Sequence, residues 1–238
     1  GSIAISSIDT IVGTAAGSDT VTFLGSGALS ISAVESLLGT SDEQTVTLIT
    51  AGSIAISSID TIVGTAAGSD TVTFLGSGAL SISAVESLLG STAEQTVTLI
   101  TSGSIAISSI DTIVGTAAGS DTVTFLGSGA LSISAVESLL GTSDEQTVTL
   151  ITSGSIAISS IDTIVGTAAG SDTVTFLGSG ALSINAVESL LGTSAEQTVT
   201  LITSGSIAIS SIDTIVGTSA GSDTVTFLGS GALSISAV

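Results

Sequence analysis

Short runs of alternating apolar and polar residues recur along the whole chain. The first 24 residues hold three of them: the alternation around Ile3 and Ile5, the β-branched run 8–12, and the run 20–24. A period of two with many β-branched residues predicts β-strands. The segments between these runs, 13–19 and 25–27, are rich in Gly and Ser, which suit tight corners.

This pattern repeats almost unchanged every 51 residues, so that we treat 1–238 as one continuous repeat domain. The repeats begin at Gly1, Gly52, Gly103, Gly154 and Gly205, and the fifth is truncated. Each repeat is itself a doublet, because 3–24 aligns with 29–49. The smallest equivalent element is therefore a half-repeat of about 25–26 residues, as the spacings between Ile8, Val34 and Ile59 show.

A half-repeat with three short strands is too small to bury an apolar face alone, so neighbouring half-repeats must stack. We therefore predict an all-β fold, a parallel β-solenoid of about nine coils, with about 25–26 residues and three strands in each coil. Parallel crossovers favour a right-handed solenoid. A helix over 34–39 is excluded, because six residues flanked by Ser, Thr and Gly are too short for one.

The composition excludes several function classes. The 238 residues include no Lys, Arg, His, Cys, Met, Pro, Trp or Tyr. Catalysis would have to rely on carboxylates that recur identically along the chain, so we predict that the protein is not an enzyme and requires no cofactor. No apolar stretch is long enough for a membrane span, and an acidic surface repels nucleic acid.

The 20 acidic residues give a net charge of −20 with no basic residue to oppose them. If coils of about 25–26 residues stack in register, one ladder of carboxylates forms from Asp9, Glu35, Asp60, Glu86, Asp111, Glu137, Asp162, Glu188 and Asp213. Two interpretations stay open. The ladder is either a solvated stripe that keeps the protein soluble, or a Ca²⁺ site in which residues such as Asp9, Glu35, Asp60 and Glu86 bridge coils.

A second candidate for Ca²⁺ is the Asp that ends each long corner. Its five copies are Asp19, Asp70, Asp121, Asp172 and Asp223. The phrase Ala-Gly-Ser-Asp-Thr-Val-Thr over 16–22 resembles the end of the calcium-binding nonapeptide of RTX proteins, although 14–15 replace its leading glycines. The alternative is that each Asp caps the corner by accepting backbone N–H bonds.

Together with Val-Glu-Ser-Leu-Leu-Gly, this phrase makes the chain similar to RTX-like tandem-repeat bacterial surface proteins, which are giant secreted adhesins. The resemblance implies export from a bacterial cell and a role outside it. It therefore implies that the protein is extracellular or at the cell surface, as an adhesin or matrix component.

The motif Thr-Val-Thr occurs in every half-repeat, and both of its threonines lie on the same side of a strand. We therefore predict two outward files of threonine that offer an ice-binding or lateral-contact face. Their first members are Thr20, Thr22, Thr45, Thr47, Thr71, Thr73, Thr96 and Thr98. The alternative is that Thr is simply a favoured outward residue on an exposed strand.

Two apolar residues in succession end several runs, as at 23–24, 37–38 and 48–49. Both cannot point inward from one regular strand, so one of each pair fills a corner or lies on the surface. Stacked coils would turn exposed residues into an apolar stripe, which is typical of an association surface.

These observations favour an extracellular structural protein that forms a stiff acidic fibre for surface adhesion or matrix scaffolding. The first residue is Gly and the last lies within a half-repeat, which leads us to expect self-association end to end, and side by side through the apolar stripe. Two alternatives remain: an ice-binding β-solenoid and a functional amyloid-like filament of stacked subunits.

Overall fold

The computed structural model describes residues 1–14, 17–219 and 221–237, and these residues form β-strands and corners. Within the described ranges, no helix has the length and apolar character needed to cross a membrane. The strands are β1 Ser2–Ile5, β2 Thr10–Val12, β3 Thr20–Phe23, β4 Gly27–Ser32, β5 Ser36–Leu38, β6 Gln44–Leu48, β7 Ser53–Ser57, β8 Thr61–Val63, β9 Thr71–Phe74, β10 Gly78–Ser83, β11 Ser87–Leu89, β12 Gln95–Leu99, β13 Ser104–Ser108, β14 Thr112–Val114, β15 Thr122–Phe125, β16 Gly129–Ser134, β17 Ser138–Leu140, β18 Gln146–Leu150, β19 Ser155–Ser159, β20 Thr163–Val165, β21 Thr173–Phe176, β22 Gly180–Asn185, β23 Ser189–Leu191, β24 Gln197–Leu201, β25 Ser206–Ser210, β26 Thr214–Val216, β27 Thr224–Phe227 and β28 Ser234–Ser236.

The chain divides into two compact units, Gly1–Gly119 and Ser120–Val238. In the first unit the odd-numbered strands β1 to β13 form one sheet, the odd sheet, and β2 to β14 form the even sheet. In the second unit β15 to β27 and β16 to β28 do the same. Neighbouring strands within a sheet are parallel. Each unit is thus a parallel β-solenoid, which confirms the predicted fold class.

One coil of this solenoid contains one strand from each sheet. The repeat 52–102, for example, holds the six strands β7 to β12. It therefore forms three coils, and each coil takes about one third of a repeat. The predicted coil of about 25–26 residues with three strands is wrong, and so is the number of nine coils. A half-repeat does hold three strands, but these make one and a half coils.

The core lies between the two sheets and is almost entirely aliphatic. In β12 the side chains of Val97 and Leu99 are buried, whereas those of Thr96 and Thr98 are half-buried on the outer face. Inward residues stack in register, as where Ile82 lies beside Leu99. Each such side chain contributes roughly 1.5–3 kcal/mol by leaving water. The strand alternation in the sequence is therefore what builds the core.

The corners lie along two edges of the solenoid. Edge one leads from the odd sheet to the even sheet, and in the repeat 52–102 it comprises corners 58–60, 75–77 and 90–94. Edge two leads back, through corners 64–70, 84–86 and 100–103.

Corners 58–60 and 84–86, with their equivalents in the other repeats, are the tight corners. Ser58 and Ala84 adopt left-handed φ values of 55° and 51° there, which are uncommon for residues other than Gly. The next residue in each, Ile59 or Val85, is buried. The tight corners from 33–35 to 211–213 thus each add an apolar side chain to the core, whereas Ile8 in corner 7–9 is 43% exposed.

The apolar pairs that end the strands place one member inside and one outside. Phe74 is 1% exposed and Leu75 is 56% exposed, while Leu99 is 7% exposed and Ile100 is 51% exposed. The surface alternative for these pairs is therefore confirmed. As a result, exposed leucines lie along edge one and exposed isoleucines along edge two.

Candidate functional site

The Asp that ends each long corner is a hydrogen-bond acceptor on edge two, and it is buried at Asp70, Asp121 and Asp172 but only half-buried at Asp19 and Asp223. Asp70 is fully buried, and its Oδ2 accepts bonds from the backbone N–H of Thr65 at 2.6 Å and from Thr65 Oγ1 at 2.8 Å. Its Oδ1 accepts the N–H of Gly52 in the preceding coil at 3.0 Å. Asp172 makes the same three bonds. The alternative that these residues cap their corners is therefore confirmed.

The acids of the tight corners accept a backbone N–H from the preceding coil. Asp60 Oδ2 accepts the N–H of Gln44 at 2.8 Å on edge one. Glu86 Oε2 accepts the N–H of Asp70 at 2.7 Å on edge two. Both bonds span 16 residues, so each acid ties its own corner to the one before it.

These acids do not form the single ladder that the sequence predicts. The aspartates Asp9, Asp60, Asp111, Asp162 and Asp213 belong to edge one, and the glutamates Glu35, Glu86, Glu137 and Glu188 belong to edge two. Successive members on one edge within a unit are 51 residues, or three coils, apart. At about 4.8 Å per coil this is roughly 14 Å. The error follows from the coil length, because one half-repeat turns the chain to the opposite edge.

The same geometry bears on the predicted Ca²⁺ ligands. Asp9, Glu35, Asp60 and Glu86 are divided between two edges, and the buried capping aspartates accept hydrogen bonds from corner backbone and Thr hydroxyls. In the part of the chain that the structure describes, no three acidic side chains form a group that could hold a metal ion. Calcium binding stays a prediction. Ala16, in the RTX-like phrase, lies outside the described residues.

A buried glutamine on edge one is a site residue that the sequence interpretation missed. Gln146 is 1% exposed, and its Nε2 donates to the carbonyl oxygens of Phe125 at 2.8 Å and Gly127 at 2.5 Å in the preceding coil. Its Oε1 accepts the N–H of Thr142 at 3.1 Å. Gln44, Gln95 and Gln197 are buried in the same way. The available signal was that all four complete repeats keep Gln here, whereas the position two residues earlier is Asp or Ala.

Hydrogen bonding lowers the pKa of two capping aspartates. A hydrogen bond from the Gly1 ammonium group, 2.8 Å from Oδ1, is the largest cause for Asp19, and with the Thr14 donors it lowers the pKa to about 2. For Asp223 the backbone N–H of Thr218 is the main cause of a lowered pKa. Both carboxyl groups are therefore held in the charged form that accepts these bonds.

The threonines of the Thr-Val-Thr motifs point outward but do not form files. Thr20, Thr22, Thr71 and Thr73 lie on the odd sheet, and Thr45, Thr47, Thr96 and Thr98 lie on the even sheet. In register, Thr71 lies between Ser53 and Ser87, and Thr73 lies between Ala55 and Leu89. The predicted pair of continuous Thr files is thus wrong, again because consecutive half-repeats face opposite sides.

Comparison with known proteins found no similar protein. Neither a protein-family model, nor a curated protein, nor a solved structure matches the chain. The site must therefore be interpreted from its own geometry, in which carboxylates and amides tie successive corners together.

Proposed function

We propose that this protein is an extracellular structural repeat protein, whose solenoid serves as a stiff acidic fibre for surface adhesion or matrix scaffolding. One observation carries the proposal: the recurring capping aspartates, tight-corner acids and buried glutamines bond to the backbone of their own or an adjacent corner. Such an arrangement stabilises the coil stack. Stiffness along the stack is what a scaffold needs.

Bending stiffness tests the mechanical part of this proposal. We expect atomic force microscopy of the purified chain, and of a longer chain with added 51-residue repeats, to show rods whose length grows in proportion to the repeat number. Replacing the four buried glutamines Gln44, Gln95, Gln146 and Gln197 with Ala should make the rods bend or fray. Flexible, coiled particles for the unaltered chain would exclude a stiff scaffold.

The extracellular placement rests on the resemblance of the repeated phrases to secreted bacterial surface proteins. An antibody against the repeat should label intact source cells or the material around them as strongly as it labels broken cells. Labelling confined to broken cells would contradict the placement, without affecting the mechanical test.

We also infer that copies associate side by side through the exposed apolar residues. Leu75, Leu126 and Leu177 are 56%, 48% and 50% exposed on edge one, and removal of such side chains from water favours association. Replacing all three with Ser should reduce bundling in electron micrographs, whereas the matched replacement with Met should preserve it. Equal bundling in both variants would rule out this contact.

The observed register does not support the ice-binding alternative in its original form, because that alternative relied on continuous Thr files. We therefore retain scaffolding as the single proposed function.

A further inference from the structure

A cleft recurs on edge two, once in each of the four complete repeats. In the repeat 52–102 it lies between corner 84–86 and the start of the next repeat at 101–105. Its volume is about 230 Å³, and the equivalent clefts have volumes of about 180 to 250 Å³. We refer to these as the edge-two clefts. The four linings are alike except at two positions: Ala51 of the first cleft replaces the Ser102 of the second, and Asn185 of the fourth replaces the Ser83 of the second.

The floor of an edge-two cleft is aliphatic. Val85, Leu99 and Ile105 line it, and they are core residues only 5%, 7% and 4% exposed. No aromatic ring and no polar side chain contributes to this floor among the described lining residues. The floor therefore suits a short alkyl chain rather than a flat ring or a hydrated ion.

The rim of the cleft carries one carboxylate and several hydroxyl groups. Glu86 Oε2 accepts the N–H of Asp70, whereas Oε1 accepts no hydrogen bond from any described residue. The Ser83 and Thr101 hydroxyls lie 2.9 Å apart in a mutual hydrogen bond, and Ser104 also lines the cleft. The rim thus offers one negative oxygen beside neutral hydroxyl oxygens.

We propose that the edge-two clefts bind a primary ammonium group carried on a short alkyl chain. The alkyl chain lies on the aliphatic floor, and the ammonium group donates hydrogen bonds to Glu86 Oε1 and to rim hydroxyls. Lysine side chains bind in this manner elsewhere, with the stem on apolar surface and the charged head at its margin. The source is either a lysine side chain of a partner protein or a free alkyl amine.

Two features favour ammonium over other cations. A divalent metal ion takes six or more oxygen ligands, but the cleft has a single carboxylate above an aliphatic floor. A guanidinium group pairs best with both oxygens of a carboxylate, but Oε2 of Glu86 already accepts the Asp70 N–H. An ammonium group needs only the remaining oxygen.

The charge of the chain also favours a cationic ligand. The chain has no Lys or Arg and a net charge of −20, so its own side chains supply no cation that competes for the cleft. The surrounding field attracts cations toward the protein. This inference does not depend on the proposed scaffolding role.

The test uses the full chain and three small cations in titration calorimetry. We expect n-butylammonium, which matches the lysine side chain, to bind roughly tenfold more tightly than methylammonium because of its alkyl chain. It should also bind more tightly than n-butylguanidinium. Nα-acetyl-lysine N-methylamide distinguishes the two sources. If it binds as tightly as n-butylammonium, the ligand is a lysine side chain of a partner protein. If it does not bind, the ligand is a free alkyl amine.

Matched variants separate the cleft from general attraction. The cleft variant replaces the four cleft glutamates with Gln, namely Glu35, Glu86, Glu137 and Glu188. The control variant replaces four exposed glutamates with Gln, namely Glu43, Glu94, Glu145 and Glu196. Both variants lose four charges, but only the cleft variant should weaken n-butylammonium binding, by roughly tenfold. If the cleft variant has a lower melting temperature than the unaltered protein, a third variant places Trp at one serine in each cleft. These substitutions fill the clefts without a change of charge, and they replace Ser53, Ser104, Ser155 and Ser206. Three results would overturn the proposal. They are an equal loss of n-butylammonium affinity in the cleft and control variants, equal affinities for n-butylammonium and methylammonium, and the absence of saturable binding.

Discussion

At the scale of single residues, the buried glutamine on edge one should stabilise the fold strongly. Gln146→Leu keeps an apolar stem but leaves the carbonyl oxygens of Phe125 and Gly127 without their side-chain donor. A buried acceptor that loses its donor costs about 1–3 kcal/mol. Urea unfolding followed by circular dichroism should therefore show a loss of that size.

The matched control is the preceding residue, which is exposed. Glu145→Leu leaves the bonds of Gln146 in place, so we expect a change within about 0.5 kcal/mol. A similar loss in both variants would mean that the added leucine, and not the lost amide, is responsible.

The capping aspartate Asp223 should make the stability of its corner depend on acid pH. The Thr218 backbone N–H, the Thr218 hydroxyl and the Gly205 N–H lower the pKa of Asp223 below its ordinary value of 3.8. A carboxyl group whose folded-state pKa is depressed contributes stability above its unfolded pKa, and this is lost as the pH falls through the folded-state value. We therefore expect the Asp223 corner to loosen only below about pH 3.8.

NMR titration of the carboxyl carbon measures this pKa directly. Thr218→Val removes the hydroxyl donor, which lies 2.9 Å from Oδ2, so the pKa of Asp223 should rise. Thr218→Ser keeps a hydroxyl group and should leave the pKa close to that of the unaltered protein. A pKa that does not change in the valine variant would show that this bond does not stabilise the charged form.

At the scale of the corner, one glycine has no room for a side chain and another has ample room. A Cβ on Gly141 would lie 1.9 Å from the carbonyl oxygen of Ser160 and 2.1 Å from Gln146 Oε1, whereas one on Gly154 would meet nothing within 4 Å. Gly141→Ala should therefore force two adjacent coils apart, at a cost of about 1–3 kcal/mol. Gly154→Ala should change stability by less than about 0.5 kcal/mol.

Thermal melts and hydrogen exchange measure both variants. In Gly141→Ala we expect faster exchange of the Gly141 corner amides, because the bond from that corner to the Ser159 carbonyl at 2.8 Å is disturbed. Equal melting temperatures for the two variants would show that the corner yields without cost.

At the scale of strands, the sequence predicted the elements well but not how they close into a coil. The runs around Ile3 and Ile5, in 8–12 and in 20–24 are the strands β1, β2 and β3. Alternation reveals a strand because it decides which side chains are buried. It does not reveal how far a corner turns the chain. Three strands could form one coil with a triangular cross-section, or one and a half coils of a solenoid with two sheets, and both arrangements have the same alternation.

The same ambiguity explains which candidate site residues were placed correctly. Capping by Asp70 depends on bonds within one corner and with the preceding coil, and these survive a change in coil length. The carboxylate ladder and the Thr files depend on which half-repeats lie above one another. Since a half-repeat is one and a half coils, equivalent residues such as Asp60 and Glu86 lie on opposite edges. Gln44 was missed because its burial is decided by the corner and not by the strand pattern.

At the scale of the whole molecule, charge opposes folding. The net charge is −20 without a single basic side chain, and folding brings these charges closer together than they are in the extended chain. Repulsion between exposed charges is screened beyond about 10 Å at 0.1 M salt. Equivalent carboxylates on one edge within a unit are separated by roughly 14 Å, so screening should remove most of the repulsion between them. Carboxylates of different corners lie closer, since Asp70 and Glu86 belong to adjacent coils on edge two.

We therefore expect salt to stabilise the protein. The melting temperature should rise by a few degrees between about 10 mM and 0.5 M NaCl, equivalent to about 1 kcal/mol or more, and then level off. Replacing the exposed Glu43, Glu94, Glu145 and Glu196 with Gln should raise the melting temperature at low salt and reduce the salt dependence. MgCl₂ and CaCl₂ at equal ionic strength separate screening from specific binding, since screening alone predicts equal melts. A melting temperature that falls with salt, or a variant with an unchanged salt dependence, would mean that repulsion among these carboxylates does not limit stability.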